Sequence, residues 1–142
     1  MTIKEIENAI EEEFSMFDDW MDKYNYLIEL GRDCPIIEEK DKNDNNLIKG
    51  CQSKVWVSAK MQDDVMDIKA DSDAVITKGI ITLLLRVFNH QKPEDVENAD
   101  LHFIDNIGLT SHLSPTRSNG LLAMIKQIKL YAMAFNIQNN NR

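Results

Sequence analysis

The sequence predicts an α+β domain in which a small antiparallel three-stranded sheet has helices packed mainly on one side. Two observations lead to this class. Apolar residues recur at helical spacing near both ends of the chain, whereas residues 47–71 are rich in β-branched side chains and partly alternate with period two. Such a sheet has to bury one face against helices. At 142 residues the chain is expected to form one domain over 1–142, with a frayed tail over 136–142.

Two helices are expected before the sheet. Thr2 and Glu5 have the spacing of a capping box, and apolar residues follow at helical intervals up to Phe14. A second helix is expected over residues 18–30, starting at either of two aspartates, and Gly31 is its predicted C-terminal stop.

Three strands are expected in the middle of the chain, over residues 47–49, 55–59 and 65–71. They follow a polar, turn-rich segment over 40–46 that is expected to be an exposed loop.

Helices are expected again after the sheet. They cover residues 74–89, a short element from Pro93, an element over 101–107, and a last helix that starts at about 114 or 118 and ends near 135. Residues 110–113 are expected to be a loop. Gly79 inside the first of these helices costs about 1 kcal/mol relative to alanine. It therefore indicates a close approach of another backbone, either the sheet or the Cys51 loop.

The net charge of −8 comes from the first 50 residues, which hold 14 acidic and 6 basic side chains, since the remainder holds 10 of each. This distribution argues against a nucleic-acid partner, because phosphate contacts need Lys and Arg. It leaves two interpretations, a solvated helix face or attraction to a basic protein surface.

No apolar run approaches the roughly 18 residues that span a bilayer, and the N-terminal residues lack the features of a signal peptide. The sequence therefore predicts a cytoplasmic protein without a membrane partner. Thiols stay reduced in that compartment, so no disulfide between Cys34 and Cys51 is expected.

Cys51 follows Gly50 and precedes a predicted strand. Its position alone leaves two interpretations open, a buried thiol that acts as a small hydrophobe and a working nucleophile. Cys34, which precedes Pro35, is expected to serve packing. The two cysteines and three histidines show no paired ligand spacing, so neither a metal nor another cofactor is predicted. A Cys–His hydrolase pair has no local support.

Two polar segments are further candidates. Asp71 and Asp73 either cap the following helix or serve the site. Residues 114–120 place Arg117 at a helix start, where an anion or thiolate is stabilised. The alternative for Arg117 is a structural ion pair with a helix-cap carboxylate.

Three motifs occur in a fixed order: Gly50–Trp56 with the sequence GCQSKVW, Asp71–Ala74 followed by Gly79, and His112–Leu121. Together they resemble the SufE family of sulfur-acceptor proteins, whose close relative is CsdE. The resemblance spans nearly the whole chain and implies an α+β fold shared with IscU-like scaffolds.

The resemblance also implies a function. Members accept persulfide sulfur from a SufS-type cysteine desulfurase, a pyridoxal phosphate enzyme, and stimulate it. They pass the sulfur to the SufB-containing scaffold SufBCD for iron–sulfur cluster assembly. The chain is thus expected to be a sulfur-transfer protein with a covalent persulfide, not a stand-alone enzyme.

The family's sulfur-accepting cysteine corresponds to Cys51. The supporting positions that the resemblance implies are Gly50, Gln52, Ser53, Asp71, Asp73, His112 and Arg117. Thr116 stands where serine is common and keeps the hydroxyl. An apolar cavity near Val55 and Trp56 is expected to shield the persulfide, with Gly50 as a hinge.

Two alternatives stay open at this point. One is a CsdE-like acceptor that serves a different desulfurase and recipient, and the other is an iron–sulfur scaffold, which is disfavoured because it needs about three cysteine ligands. The branch, the choice between monomer and homodimer, and whether Cys51 points inward are also open.

Overall fold

The computed structural model describes residues 1–140 and is built mainly from helices. The helices are α1 Ile3–Ser15, α2 Trp20–Leu30, α3 Val75–Phe88, α4 Pro93–Glu97, α5 Phe103–Asn106, α6 Leu109–His112 and α7 Pro115–Asn140. The strands are β1 Val55–Gln62 and β2 Val65–Ser72, and short 3₁₀ turns cover Gly31–Asp33 and Glu39–Asp41.

The first two helices begin at side-chain caps. The Thr2 hydroxyl accepts a hydrogen bond from the Glu5 N–H at 3.2 Å, and the Glu5 carboxylate accepts one from the Thr2 N–H at 3.1 Å. This is the predicted capping box, which is confirmed. The Asp19 carboxylate caps α2 by accepting from the Asp22 N–H at 2.9 Å, and Gly31 stands at the C-terminal end of α2 as predicted.

Gly79 brings α3 directly against α2. A Cβ at this position would lie 2.0 Å from the Leu27 carbonyl oxygen, which no side chain tolerates. The close approach predicted for Gly79 is confirmed, but the expected partner was wrong. The backbone that needs the space is α2, not the sheet or the Cys51 loop.

The sheet has two antiparallel strands in the described residues, not the three that were expected. Val55 lies opposite Ser72 and Gln62 opposite Val65. The expected strand over 47–49 is limited to one bridge between Leu47 and Trp56. The Ile48 N–H donates to the Val55 carbonyl oxygen at 2.9 Å, but turns at residues 44–46 and at 49–50, where Gly50 has a φ of +90°, end the pairing on both sides.

One face of the sheet is buried and the other is not. The buried residues alternate along both strands and are Val55, Val57, Met66, Ile68 and Ala70. Helix α3 packs against β2, contacts α1, α2 and α7 as well, and is therefore the centre of the core. The prediction of an α+β fold with helices against a small antiparallel sheet is thus confirmed except for the strand count.

The last third of the chain differs from expectation at two places. Residues 110–112 of the loop expected over 110–113 belong instead to the short helix α6, which follows Gly108 with its φ of +81°. Helix α7 begins at Pro115, one of the two predicted starts, and continues to Asn140, past the end expected near 135. Fraying over 136–142 stays a prediction, and residues 141 and 142 lie outside the described part.

Across residues 1–140, no helix combines the length and apolar character that crossing a bilayer requires.

Candidate functional site

Cys51 lies in the loop that connects Gly50 to β1. It is a free thiol and is half-buried. Its Sγ atom lies 3.8 Å from the Gly120 carbonyl oxygen, in contact with the first turns of α7. The structure thus answers the open question of orientation, since the thiol faces inward toward α7.

The thiol lines a pocket of about 220 Å³ between its loop, α3 and α7. The residues that line this Cys51 pocket are Cys51, Gln52, Ser53, Thr77, Ile80, Thr116, Arg117, Gly120 and Met124. Three of the predicted supporting residues, Gln52, Ser53 and Arg117, are therefore brought together with Cys51.

Gly120 makes room for the thiol. It is buried in α7, and a Cβ at this position would lie 3.3 Å from Cys51 Sγ. An alanine at 120 would require the cysteine side chain to shift by a few tenths of an ångström, and a larger residue would require more. The glycine near the start of α7 is therefore a packing requirement of the site.

Burial raises the pKa of the Cys51 thiol, and it is the only cause of the shift. Because the pKa lies above its ordinary value, the neutral thiol predominates at pH 7. The isolated site thus holds a protected thiol instead of an activated thiolate.

Arg117 supplies positive charge at the mouth of the pocket. Its side chain is exposed, and its backbone N–H is capped by the Ser114 hydroxyl at 3.3 Å. No carboxylate of residues 1–140 lies within ion-pair distance of its guanidinium, so the alternative of a cap-carboxylate pair is wrong for this structure. The guanidinium at the N-terminal end of α7 is available for an anion in the pocket.

Asp71 and Asp73 do not line the pocket. Asp71 pairs with Lys42 at 2.7 Å and with Lys78 at 3.3 Å. Burial alone would raise the pKa of Asp71, but the hydrogen bonds from Lys42, the Ser72 N–H and Lys78 outweigh it and lower the pKa.

Asp73 fixes the end of the Cys51 loop. Its carboxylate accepts a hydrogen bond from the Lys54 N–H at 3.0 Å, and its own N–H donates to the Lys54 carbonyl oxygen at 3.2 Å. Since Lys54 directly precedes β1, these bonds anchor the loop beside the start of α3. Asp73 therefore holds the backbone of the Cys51 loop at Lys54 and does not itself line the pocket.

His112 belongs to a separate cluster. Its ring stacks on Trp20 with 4.4 Å between the ring centroids, and its Nδ1 lies 2.8 Å from the Gly108 carbonyl oxygen. It does not line the Cys51 pocket. The structure therefore does not pair Cys51 with this histidine.

The shielding wall differs from the expected one. Val55 points into the core with no exposed surface, and Trp56 lies on the other face of the sheet, 5.4 Å below Lys42 Nζ. The wall consists instead of Thr77 and Ile80 on α3 and Met124 on α7. Helical spacing from Arg117 and Gly120 would have indicated Met124, but no local pattern places α3 beside the cysteine.

Cys34 has no access to this pocket. It is buried, its Sγ lies 3.5 Å from the Ala70 carbonyl oxygen, and burial raises its pKa. Within residues 1–140, no group of three His, Cys, Asp or Glu side chains is arranged to hold a metal ion.

Two comparisons with known proteins identify the family and the fold of the chain. The model of the SufE family, described as an Fe-S metabolism associated domain, matches residues 8–132. The solution structure of a hypothetical protein from Thermus thermophilus superimposes with a TM-score of 0.76 at 18% identity, covering 91% of this chain and 94% of that one. At this identity the second comparison shows the fold alone. The family match covers most of the chain, which therefore belongs to the SufE family and has a role in iron–sulfur metabolism and sulfur acceptance.

Proposed function

We propose that Cys51 accepts persulfide sulfur from a SufS-type cysteine desulfurase and delivers it to the SufB-containing scaffold SufBCD. The observation that carries the proposal is the free Cys51 thiol, which shares a pocket of about 220 Å³ with Arg117. The pocket has space for an added sulfur atom, and the guanidinium has a charge that suits a persulfide anion.

The transfer is balanced without a redox cofactor. The Cys51 thiolate attacks the outer sulfur of the desulfurase persulfide, so a bond forms between Cys51 Sγ and that sulfur. The sulfur–sulfur bond of the desulfurase persulfide breaks, and the desulfurase cysteine leaves as a thiolate. The proton given up by Cys51 ends on this leaving thiolate, and the same exchange in reverse roles delivers the sulfur to the scaffold.

Burial controls when Cys51 reacts. At rest the raised pKa keeps the sulfur protonated, which limits attack on unintended electrophiles. A docked desulfurase places its persulfide at the pocket mouth, and the Arg117 guanidinium favours the anionic states of the exchange.

Shielding and delivery depend on the loop. Ile80 and Met124 line the pocket beside Cys51, and they would limit the access of soluble reductants to a persulfide on this residue. Gly50, with its φ of +90°, is the hinge about which the loop swings toward a recipient.

The acidic helices α1 and α2 offer a charged surface that steers a basic partner.

Desulfurase stimulation tests the proposal. Alanine formed from cysteine is measured for a SufS-type desulfurase alone, with this chain, and with Cys51→Ala. The proposal expects faster turnover with the wild-type chain only, because removal of the persulfide frees the enzyme for another cycle. Radiolabelled sulfur from cysteine is then followed to SufB.

Stimulation of a Csd-type desulfurase and none of the SufS type would assign the chain to the CsdE-like alternative. Equal stimulation by Cys51→Ala would contradict a role for this thiol.

A further inference from the structure

Thr77 is a buried polar residue in an otherwise apolar part of the Cys51 pocket wall. It lies in the first turn of α3, is 6% exposed, and lines the pocket beside Ile80 and Met124. Its hydroxyl makes no hydrogen bond to any of residues 1–140. A buried hydroxyl without a partner destabilises a protein unless a ligand or water satisfies it.

A second buried threonine of the same helix satisfies its hydroxyl with a hydrogen bond to the helix backbone. Thr82 is 8% exposed, and its hydroxyl donates to the Lys78 carbonyl oxygen at 2.6 Å. Glu7 Oε1 is the fully enclosed side-chain atom without a partner among the described residues. The Thr77 hydroxyl is thus neither bonded like that of Thr82 nor fully enclosed like Glu7 Oε1, and its residue lines the pocket.

We propose that the Thr77 hydroxyl donates a hydrogen bond to the terminal sulfur of a persulfide on Cys51 and so holds that sulfur inside the pocket. The inference rests on the proposed function, since it concerns the state in which Cys51 carries sulfur. It assigns a sulfur-binding role to a residue that none of the three sequence motifs identifies as functional.

Thr77 is the hydrogen-bond donor that α3 contributes to the lining, since Gln52 and Ser53 lie in the Cys51 loop and Thr116 lies on α7. Arg117 is the charged residue of the lining and approaches from α7, opposite α3. Lys78, next to Thr77, is engaged with Asp71, and the Asp73 carboxylate is engaged with the Lys54 N–H. A terminal sulfur between the two helices therefore has Arg117 on one side and a neutral donor on the other.

The expected energetic effect is measurable. A hydrogen bond to a charged acceptor is stronger than one between neutral groups, and it favours the anionic persulfide. Loss of the Thr77 donor is therefore expected to reduce the ratio of anionic to neutral persulfide about tenfold.

The test loads the full-length chain with inorganic polysulfide, which needs no desulfurase. The Cys51 thiolate takes one sulfane sulfur and leaves a polysulfide that is shorter by one atom, so no external oxidant is consumed. The rate of persulfide alkylation by iodoacetamide is then measured against pH by intact mass, with peptide mapping to the Cys51 loop.

Thr77→Val is expected to move the midpoint of this profile upward by about one pH unit. Thr77→Ser, which keeps the hydroxyl, is expected to retain the wild-type midpoint, and the matched control Thr82→Val is expected not to move it. An unchanged midpoint in Thr77→Val, or an equal shift in Thr82→Val, would overturn the inference. If Thr77→Val fails to fold, Thr77→Ala removes the same donor and is held to the same outcomes.

The failure of the proposed function gives a different result. If the wild-type chain takes sulfur from polysulfide but not from a desulfurase with cysteine, the carrier proposal fails while the Thr77 profile is still measured. If desulfurase loading succeeds but the midpoint of the alkylation profile is the same in Thr77→Val and wild type, the inference fails and the proposed function stands.

Discussion

Gly120 lies directly against Cys51, with the thiol Sγ 3.8 Å from the Gly120 carbonyl oxygen and 3.3 Å from the point where a Cβ would stand. The two residues are far apart in sequence, yet each limits the other. Because residue 120 has no side chain, the inward-facing thiol packs against α7 without a tight contact. The position of Cys51 Sγ therefore depends on Gly120, a helix residue that takes no part in the sulfur transfer.

Gly120→Ala is expected to displace the Cys51 side chain toward solvent and speed its alkylation severalfold. Stability is expected to change by no more than about 1 kcal/mol, because alanine gains helix propensity while the contact tightens. Thiol labelling rates and urea unfolding check this, with exposed Asn119→Ala as the control. Equal labelling rates for Gly120→Ala and wild type would show that the glycine does not set the thiol position.

Arg117→Ala is expected to slow sulfur loading by a desulfurase about tenfold or more, because the pocket loses its positive charge. The melting temperature is expected to stay unchanged, since the guanidinium pairs with no carboxylate of residues 1–140. Arg117→Lys keeps the positive charge but loses the planar guanidinium with its paired N–H donors. Its loading rate is expected to lie between those of wild type and Arg117→Ala. A parallel loss of melting temperature and loading rate would point instead to a structural role.

The pH dependence of Cys51 labelling follows from its buried environment. Because burial raises the thiol pKa, the alkylation midpoint of the folded chain is expected above the roughly 8.5 of a free cysteine. The urea-unfolded chain is expected to return to the free value. The stabilisation from this thiol is fully present below pH about 8.5 and is lost as pH rises through the folded pKa. A folded midpoint at or below the unfolded one would contradict the buried-thiol description.

Glu7 gives a prediction about stability. Its side chain is 3% exposed, its Oε1 has no partner among the described residues, and its Oε2 lies 3.9 Å from His102 Nδ1. Burial raises the carboxyl pKa more than the neighbouring His102 lowers it. The stabilisation that Glu7 gives is therefore present below its unfolded pKa of about 4.3 and is lost as pH rises through the folded pKa.

Glu7→Gln is accordingly expected to raise the free energy of unfolding at pH 7 by about 1 kcal/mol and to have little effect at pH 4. Urea unfolding at both pH values measures this, with Glu12→Gln on the exposed side of α1 as the matched control. A loss of stability at pH 7 would show that the carboxylate is satisfied in a way that the structure does not describe.

Local signals in the sequence were sufficient for most helices. The capping box of Thr2 and Glu5, the cap at Asp19 and the start at Pro115 each depend on neighbouring residues, and the structure has all of them. The strand expected over 47–49 is wrong because turns at residues 44–46 and at 49–50 limit this segment to one bridge with β1.

The site was predictable only in part. Cys51 and Arg117 stood out because their types and local settings suggest chemistry, and the fold brings both to one pocket. Thr77 did not stand out, because a threonine in a helix becomes informative only once α3 is seen beside the cysteine. His112 was expected at the site but stacks on Trp20 outside the pocket. This stacking is a tertiary contact, which the local sequence does not indicate.

Intact mass measurement after incubation with a cysteine desulfurase and cysteine tests the central claim most directly. The account predicts a gain of one sulfur atom on the wild-type chain, located at Cys51, reversed by reductant and absent in Cys51→Ala. The buried Cys34 is expected to stay unmodified in both chains. An active cognate desulfurase that leaves the mass unchanged, or that adds sulfur equally to Cys51→Ala, would contradict the account.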